Sequence, residues 1–170
     1  MQTIIGGYDN AQKWSDAPLG KIKTLSNGHI GDIGQDFVKK WCDALDLAWK
    51  EPDQRQSPWD VKIKGISFEV KTATEDVGGA FQFNHIRHHR EYQGLLCLGI
   101  SPDNVLFNMW RKGDLAEGLA GRLVTMDKGS SATFKLTKKP EGLLPISQFE
   151  SKLDEIMKKY KVGSEDKLRS

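Results

Sequence analysis

The stretch that decides the fold is residues 57–71, which read SPWDVKIKGISFEVK. Apolar and polar side chains alternate along both halves of it, a period of two that predicts a β-hairpin with one buried face. The hairpin turns at Lys64-Gly65, because a two-residue turn needs positive φ angles that glycine adopts without strain. A turn there sets these pairs opposite one another: Ile63 with Ile66, Val61 with Phe68, and Asp60 with Glu69.

The polar face of this hairpin carries candidate chemistry. Directly opposed residues have Cβ atoms about 4.5–5.5 Å apart, so Asp60 and Glu69 are expected to lie close together. Two like charges at that distance need a compensating cation, and a divalent metal is the strongest candidate. Lys71 points to the same side as Glu69 and can reach a water or a phosphate there. The alternative interpretation is a solvated face held by cross-strand ion pairs.

Pro58-Trp59-Asp60, followed by Glu69-Val70-Lys71, resembles the PD-(D/E)XK signature of restriction endonucleases and DNA-repair nucleases. The resemblance implies that Asp60, Glu69 and the Val70 carbonyl bind Mg²⁺, and that Lys71 positions or activates the attacking water. It also implies an α/β fold with a restriction-endonuclease-like core, in which a central mixed β-sheet is flanked by helices.

Upstream, residues 31–42 (GDIGQDFVKKWC) open a predicted amphipathic helix. Asp32 or Asp36 would cap its start. Its apolar residues follow helical spacing: Phe37, Val38, Trp41, Leu45 and Ala48. In the nuclease family this helix often carries a Glu that faces the active site, and Gln35 occupies the corresponding position here as possible support. An ordinary first-turn polar residue is the alternative. Residues 51–57 leave no room for the strand that normally precedes the Asp strand.

Downstream, Asn84 predicts the N-cap of a helix over residues 84–92, which holds three of the chain's four histidines. Phosphate contact is the expected role of this basic cluster, with a solvated charged face as the alternative. A zinc site on His85, His88 and His89 is conceivable from their spacing, but no Cys or carboxylate joins them. Gln82 is a further candidate for active-site support. The residues expected to contact DNA are Thr72, Thr74, Asn84, His85, Arg87 and Arg90.

The second half of the chain predicts the rest of the sheet. Residues 95–100 form a continuous apolar run, typical of a buried central strand, and residues 105–110 form its neighbour. Residues 114–120 predict a short helix. Residues 123–125 and 132–137 predict two edge strands. A capping box at Ser147 and Glu150 predicts the start of a last helix.

Length and composition limit the remaining possibilities. With 170 residues and a net charge of +2, the chain fits one nuclease domain over residues 31–162, an N-terminal arm over 1–30 and a flexible tail over 163–170. Cys42 and Cys97 make no disulfide framework and are expected to be reduced core residues of a cytoplasmic protein. No apolar run reaches the ~18 residues of a membrane span, and the N-terminus lacks a signal-peptide profile.

The sequence therefore predicts a Mg²⁺-dependent endodeoxyribonuclease that acts on double-stranded DNA, as a type II restriction endonuclease or its catalytic subunit. Two alternatives remain open: a repair or junction-resolving nuclease of the same fold, and a non-catalytic DNA-binding or assembly subunit. One domain of this size carries one active site, so cutting both strands requires a homodimer or a heterodimer with a larger recognition subunit.

Overall fold

The computed structural model describes residues 10–169, and the side chains of residues 10–161. The strands are β1 (Trp49–Lys50), β2 (Val61–Ile63), β3 (Ile66–Thr74), β4 (Phe81–Ile86), β5 (Gly94–Ile100), β6 (Val105–Arg111), β7 (Leu123–Thr125), β8 (Phe134–Lys138) and β9 (Leu144–Pro145). The helices are α1 (Asn27–Ala44), α2 (Lys112–Ala116) and α3 (Phe149–Arg169). Short 3₁₀ turns cover Gly20–Thr24, Pro140–Gly142 and Ile146–Gln148, and residues 10–15 are helical.

A six-stranded mixed sheet, ordered β1-β2-β3-β5-β6-β9, forms the centre of the fold. Strands β3 and β5 run parallel, whereas β5 and β6 run antiparallel. Every residue of β5 is buried, which confirms the predicted central strand. Helices α1 and α3 pack on one face of this sheet, and α2 with a second sheet covers the other. The predicted α/β class, a central mixed sheet flanked by helices, is confirmed.

The hairpin predicted from residues 57–71 is confirmed, with Ile63 opposite Ile66 and Val61 opposite Phe68. Both turn residues have positive φ, 50° at Lys64 and 83° at Gly65, as a type I′ turn requires. The alternative interpretation, a solvated polar face, does not hold for β3, where Ser67 and Glu69 are buried. Because β3 lies inside the sheet and the second sheet covers that side, its polar side chains are enclosed as well.

The helix predicted over residues 84–92 is wrong. Residues 81–86 instead form β4, an outer strand of a three-stranded antiparallel sheet ordered β4-β8-β7. Phe81, Phe83 and Ile86 are fully buried, while the residues between them are exposed. Aromatic and β-branched residues in alternation favour a strand, and this signal prevails over the capping potential of Asn84. Residues 132–137 were predicted to form an edge strand. This prediction is also wrong, because the strand there, β8, is the middle strand of the sheet.

Helix α1 begins and ends earlier than predicted. Its N-cap is Ser26, whose hydroxyl accepts a hydrogen bond from the His29 N–H, so neither Asp32 nor Asp36 caps it. It ends at Ala44, and therefore Leu45 and Ala48 lie beyond it. Residues 51–57 form no strand, as the sequence predicted, and the two-residue strand β1 lies just before them and pairs with β2.

Residues 10–30 of the predicted arm are folded against the domain. Trp14, Ile22, Ile30 and Ile100 form a small third core cluster. Residues 1–9 of that arm lie outside the described residues. At the other end, α3 continues through residues 163–169, which the sequence predicted to be a tail.

Cys42 and Cys97 are buried and free, as predicted. None of the helices within residues 10–169 combines the length and the apolar character that a bilayer crossing needs.

Candidate active site

A cleft of about 490 Å³ opens between the first half of α1, the second half of β3 and the exposed side of β4. It brings together most of the residues singled out in the sequence: Gln35, Asp60, Val70, Lys71, Thr72, Thr74, Gln82, Asn84, His85 and Arg87. A neighbouring depression shares Gln35, Asp60 and Arg87 with this cleft and adds Arg90. Glu69 is the predicted site residue that lines neither cavity.

Asp60 is fixed by the backbone of β3. Its N–H donates to the Phe68 carbonyl at 2.8 Å, and its Oδ2 accepts from the Val70 N–H at 2.8 Å. Burial raises the pKa of the Asp60 carboxyl, the Val70 N–H lowers it, the charge of Glu69 raises it again, and two nearby cations lower it. The pKa is raised overall. The strand therefore holds this carboxylate at the wall of the cleft against an electrostatic cost.

Glu69 is fully buried and ion-paired. Its Oε1 accepts from Arg87 Nε at 2.9 Å and lies 3.3 Å from Lys71 Nζ, and its Oε2 accepts from the Arg87 N–H at 3.2 Å. A buried carboxylate is tolerated only when such partners replace its hydration. Glu69 and Lys71 thus meet as the sequence predicted, with Glu69 buried and Lys71 partly exposed at the cleft.

Arg87 is the residue whose position the sequence did not reveal. The sequence assigned it to DNA binding on a helix, whereas the structure places it in the loop after β4, against both carboxylates. Besides its bonds to Glu69, its Nη2 lies 4.0 Å from Asp60 Oδ1. The compensating cation that two close carboxylates require is thus supplied, in this structure, by Arg87 together with Lys71. No spacing in the sequence links residues 69 and 87, so this pairing could be found only from the fold.

The donor set fits Mg²⁺ on one condition. Magnesium is usually bound by one or two carboxylates and several waters, and Asp60 with Glu69 supplies two carboxylates. Glu69 becomes available to a metal only when the Arg87 guanidinium moves away from it. Within the part of the chain that the structure describes, no group of three or more His, Cys, Asp or Glu side chains is placed to bind a metal. The zinc hypothesis also loses its basis, because residues 85–89 do not form a helix.

Close packing of α1 on β3 brings Gln35 to the cleft. A Cβ atom on Gly34 would lie 1.7 Å from Thr72 Oγ1, so a glycine is required where helix and strand touch. Gln35, the next residue, lines both cavities. Gln35 therefore lies at the cleft wall, and its role in supporting the site stays a prediction.

One further acid lies on the cleft wall that sequence analysis did not single out. Asp76 Oδ2 accepts from the Gln82 amide at 3.1 Å, and its Oδ1 accepts from the Ala80 N–H at 2.9 Å. Burial alone would raise the pKa of Asp76, but these hydrogen bonds lower it overall. Asp76 consequently stays ionised and fixes the orientation of Gln82. At the same end of the cleft, Lys23 Nζ donates to Thr74 Oγ1 at 3.1 Å.

Comparison with solved structures finds a bacterial homing endonuclease, I-Ssp6803I, with a TM-score of 0.47 and 13% sequence identity. The similarity covers 67% of this chain and 75% of that chain. No family model and no curated protein matches the sequence at a significant level.

Proposed function

We propose that this chain is a Mg²⁺-dependent endonuclease that hydrolyses phosphodiester bonds of double-stranded DNA, as a member of the PD-(D/E)XK superfamily. The observation that carries the proposal is the meeting of Asp60, Glu69 and Lys71 beside one open cleft. Amide and basic side chains line the same cleft, and such groups bind phosphate and sugar oxygens. A restriction enzyme or its catalytic subunit is the form of nuclease that we favour.

Each residue has a role in this proposal. Asp60, Glu69 and the Val70 carbonyl would hold Mg²⁺, which when bound polarises the scissile phosphate and lowers the pKa of coordinated water. Lys71, whose ammonium lies at the carboxylates, orients the attacking water and neutralises charge that develops on the phosphate. Gln35 supports the site from α1 as a neutral hydrogen-bonding group.

Arg87 links DNA binding to this site. Its guanidinium has a bidentate geometry that suits phosphate as well as carboxylate. An incoming phosphate would draw Arg87 from Glu69 and leave both carboxylates for the metal. Arg90, Thr72, Thr74 and His85 lie along the same two cavities, and they would contact the DNA backbone.

Cleavage of supercoiled plasmid in Mg²⁺ tests the proposal. We expect Asp60→Ala, Glu69→Ala and Lys71→Ala each to lower the cleavage rate at least a hundredfold, because each removes a group that acts on the transition state. Glu141→Ala and Lys158→Ala are matched controls at exposed positions outside the cleft and should cut like the wild type. Circular dichroism confirms that each variant is folded. Cleavage near the wild-type rate by Glu69→Ala would refute the site.

One observation favours a second candidate, a non-catalytic DNA-binding or assembly subunit. Glu69 is fully buried and bonded to Arg87 and Lys71, which is also how a purely structural ion pair looks. The plasmid assay separates the two candidates, since a subunit of this kind binds DNA without cutting it in Mg²⁺. The products then identify the type of nuclease: discrete bands indicate a restriction enzyme, and cleavage of branched or mismatched DNA alone indicates repair.

A further inference from the structure

The small sheet β4-β8-β7 has two faces of opposite character. One face packs on the central sheet through buried apolar side chains, which are Phe81, Phe83, Ile86 and Leu136. The other face meets solvent and carries polar groups: Gln82, Asn84, His85, Lys135 and Thr137. Gln82 lies directly opposite Thr137, so these polar groups belong to one ribbon formed by β4 and β8.

A β-bulge in β4 concentrates polar side chains on this face. Phe83 pairs with Leu136 and Ile86 with Phe134, so two residues of β4 stand opposite the single residue Lys135. These two residues are Asn84 and His85, and His85 has a φ of 56°. Bulges re-aim side chains in this way, often next to active sites. The His85 ring lies at hydrogen-bond distance from Thr133 Oγ1, whereas the Asn84 side chain has no hydrogen-bond partner among the described residues.

The positive charge around the small sheet favours the binding of a polyanion. Residues 118–139, which contain β7, β8 and their loops, hold five Lys or Arg residues and one Asp, hence a net charge of +4. The whole chain has a net charge of only +2. Lys138 turns inward to the Ala120 carbonyl, whereas Lys135 forms no ion pair with an acidic side chain of residues 10–161. The basic character of the chain is therefore concentrated around the exposed ribbon.

The ribbon face continues into the candidate active site. Gln82, Asn84 and His85 line the same cleft as Asp60 and Lys71. A duplex placed with one phosphate at Lys71 would bring its neighbouring bases to β4. Strand β4 is the outer strand on the side of the cleft, and β4 and β8 lie about 4.8 Å apart, with β7 on the far side of β8. Small β-sheets of this kind enter the major groove, which is about 12 Å wide.

We propose that the exposed face of the β4–β8 ribbon enters the DNA major groove and reads bases beside the cutting site. Amide side chains bind adenine at N6 and N7, so Asn84 is suited to adenine, whereas the Gln82 amide already donates to Asp76. A lysine ammonium binds guanine at O6 and N7, which is the role of Lys135. This inference rests on the proposed function in so far as double-stranded DNA is the ligand.

Selection from a randomised duplex library, with the full chain in EDTA, tests the inference. We expect the wild type to enrich a sequence, and Asn84→Ala and Lys135→Ala each to lose preference at one or two adjacent positions by about tenfold or more. Gln148→Ala and Lys158→Ala replace an exposed amide and an exposed amine elsewhere and should keep the wild-type sequence. A purine that lacks N7 at the position read should abolish the preference, because N7 lies in the major groove.

Three results would overturn the inference. Unchanged preferences in both variants would do so, and so would a uniform loss of affinity, which indicates phosphate contact only. A change in the sedimentation coefficient of either variant without DNA would indicate that this face is an interface between copies of the chain. Plasmid cleavage in Mg²⁺ is scored separately. Cleavage without base preference would refute base recognition by the β4–β8 ribbon but not the nuclease activity. Selective binding without cleavage would refute the nuclease activity but not base recognition.

Discussion

Asp60 holds a position that costs the folded protein stability at neutral pH. Its carboxylate is largely withdrawn from water and faces a second negative charge on Glu69, which together raise its pKa despite the Val70 N–H. Conflicts of this kind are common where a site has been shaped for binding or chemistry. A substitution of Asp60 that removes the charge and keeps the shape of the side chain should therefore increase the stability of the folded protein.

We expect Asp60→Asn to raise the free energy of unfolding at pH 7 by on the order of 1 kcal/mol while it abolishes cleavage. The amide oxygen can still accept from the Val70 N–H, but the buried negative charge is gone. Denaturant unfolding at pH 7, together with the plasmid assay, measures both effects. Equal or lower stability of Asp60→Asn would show that the carboxylate is not a source of strain.

The pH dependence follows from the direction of the pKa shift. A raised pKa means that the folded protein binds this proton more tightly than the unfolded chain does. The wild type therefore gains stability relative to Asp60→Asn as the pH falls through the raised pKa toward the unfolded value. The difference between the two unfolding free energies should narrow between pH 7 and pH 4. A difference that stays constant over this range would contradict the assignment.

Arg87→Ala should uncover Glu69. Removing one partner of a buried ion pair costs about 3 kcal/mol, so the melting temperature should fall without metal. Mg²⁺ should then raise the melting temperature of the variant more than that of the wild type, because the cation takes the vacated place and stabilises the folded state. Calorimetry should find tighter Mg²⁺ binding to the variant without DNA. Arg55→Ala, at an exposed arginine of the neighbouring depression, is the control.

At the scale of secondary-structure elements, the contact between α1 and β3 determines where the cleft lies. Gly34→Ala should lower the free energy of unfolding by about 1–3 kcal/mol, because its methyl group would overlap Thr72. Gly31→Ala is the matched variant three residues earlier in the same helix. Nothing lies within 4 Å of its added Cβ, so it should stabilise the protein by about 0.5–1 kcal/mol. Denaturant midpoints of the two variants provide the measurement.

A double variant identifies the cause of the Gly34→Ala effect. Thr72→Ala removes the Oγ1 and Cγ2 atoms that the new methyl would meet, so Gly34→Ala should cost less in that background. Additive costs of the two substitutions would mean that the contact between α1 and β3 is not the limiting one.

Local patterns made some of these elements predictable and left others hidden. The hairpin and β5 followed from alternation and from one continuous apolar run, both of which depend on neighbouring residues only. The alternation in β4 covers just Phe81 to Asn84 before the bulge at His85 interrupts it, so the helical interpretation of the basic cluster prevailed. Strand β1 has two residues, too few to show a period.

The proximity of the candidate residues could be predicted from the sequence, whereas their arrangement could not; their role as a site stays a prediction. Asp60, Glu69 and Lys71 were found because hairpin geometry fixes their relation. The burial of Glu69 depends on the second sheet, and its bonds to Arg87 join segments 18 positions apart. Contacts between residues so far apart in the sequence depend on tertiary packing, and no regular spacing of residues in a single sequence predicts them.

At the scale of the whole molecule, the described residues contain one candidate active site, and one site cuts one strand per binding event. Cutting both strands therefore requires a second site. A C₂ homodimer would supply it on a palindromic target, because the symmetry of the protein matches that of the site. A larger subunit would supply it on an asymmetric target and would add recognition surface to that of the β4–β8 ribbon.

Light scattering of the pure chain, with plasmid cleavage in the same buffer, distinguishes these assemblies. We expect a monomer to release nicked circles, or to stay inactive until its partner subunit is added, because it holds a single site. A dimer should linearise the plasmid without a partner, and the rate of linearisation should follow the dimer fraction as the protein is diluted. A chain that remains monomeric and still makes a site-specific double-strand break in one binding event would contradict both assemblies. It would also require a second active site beyond Asp60, Glu69 and Lys71.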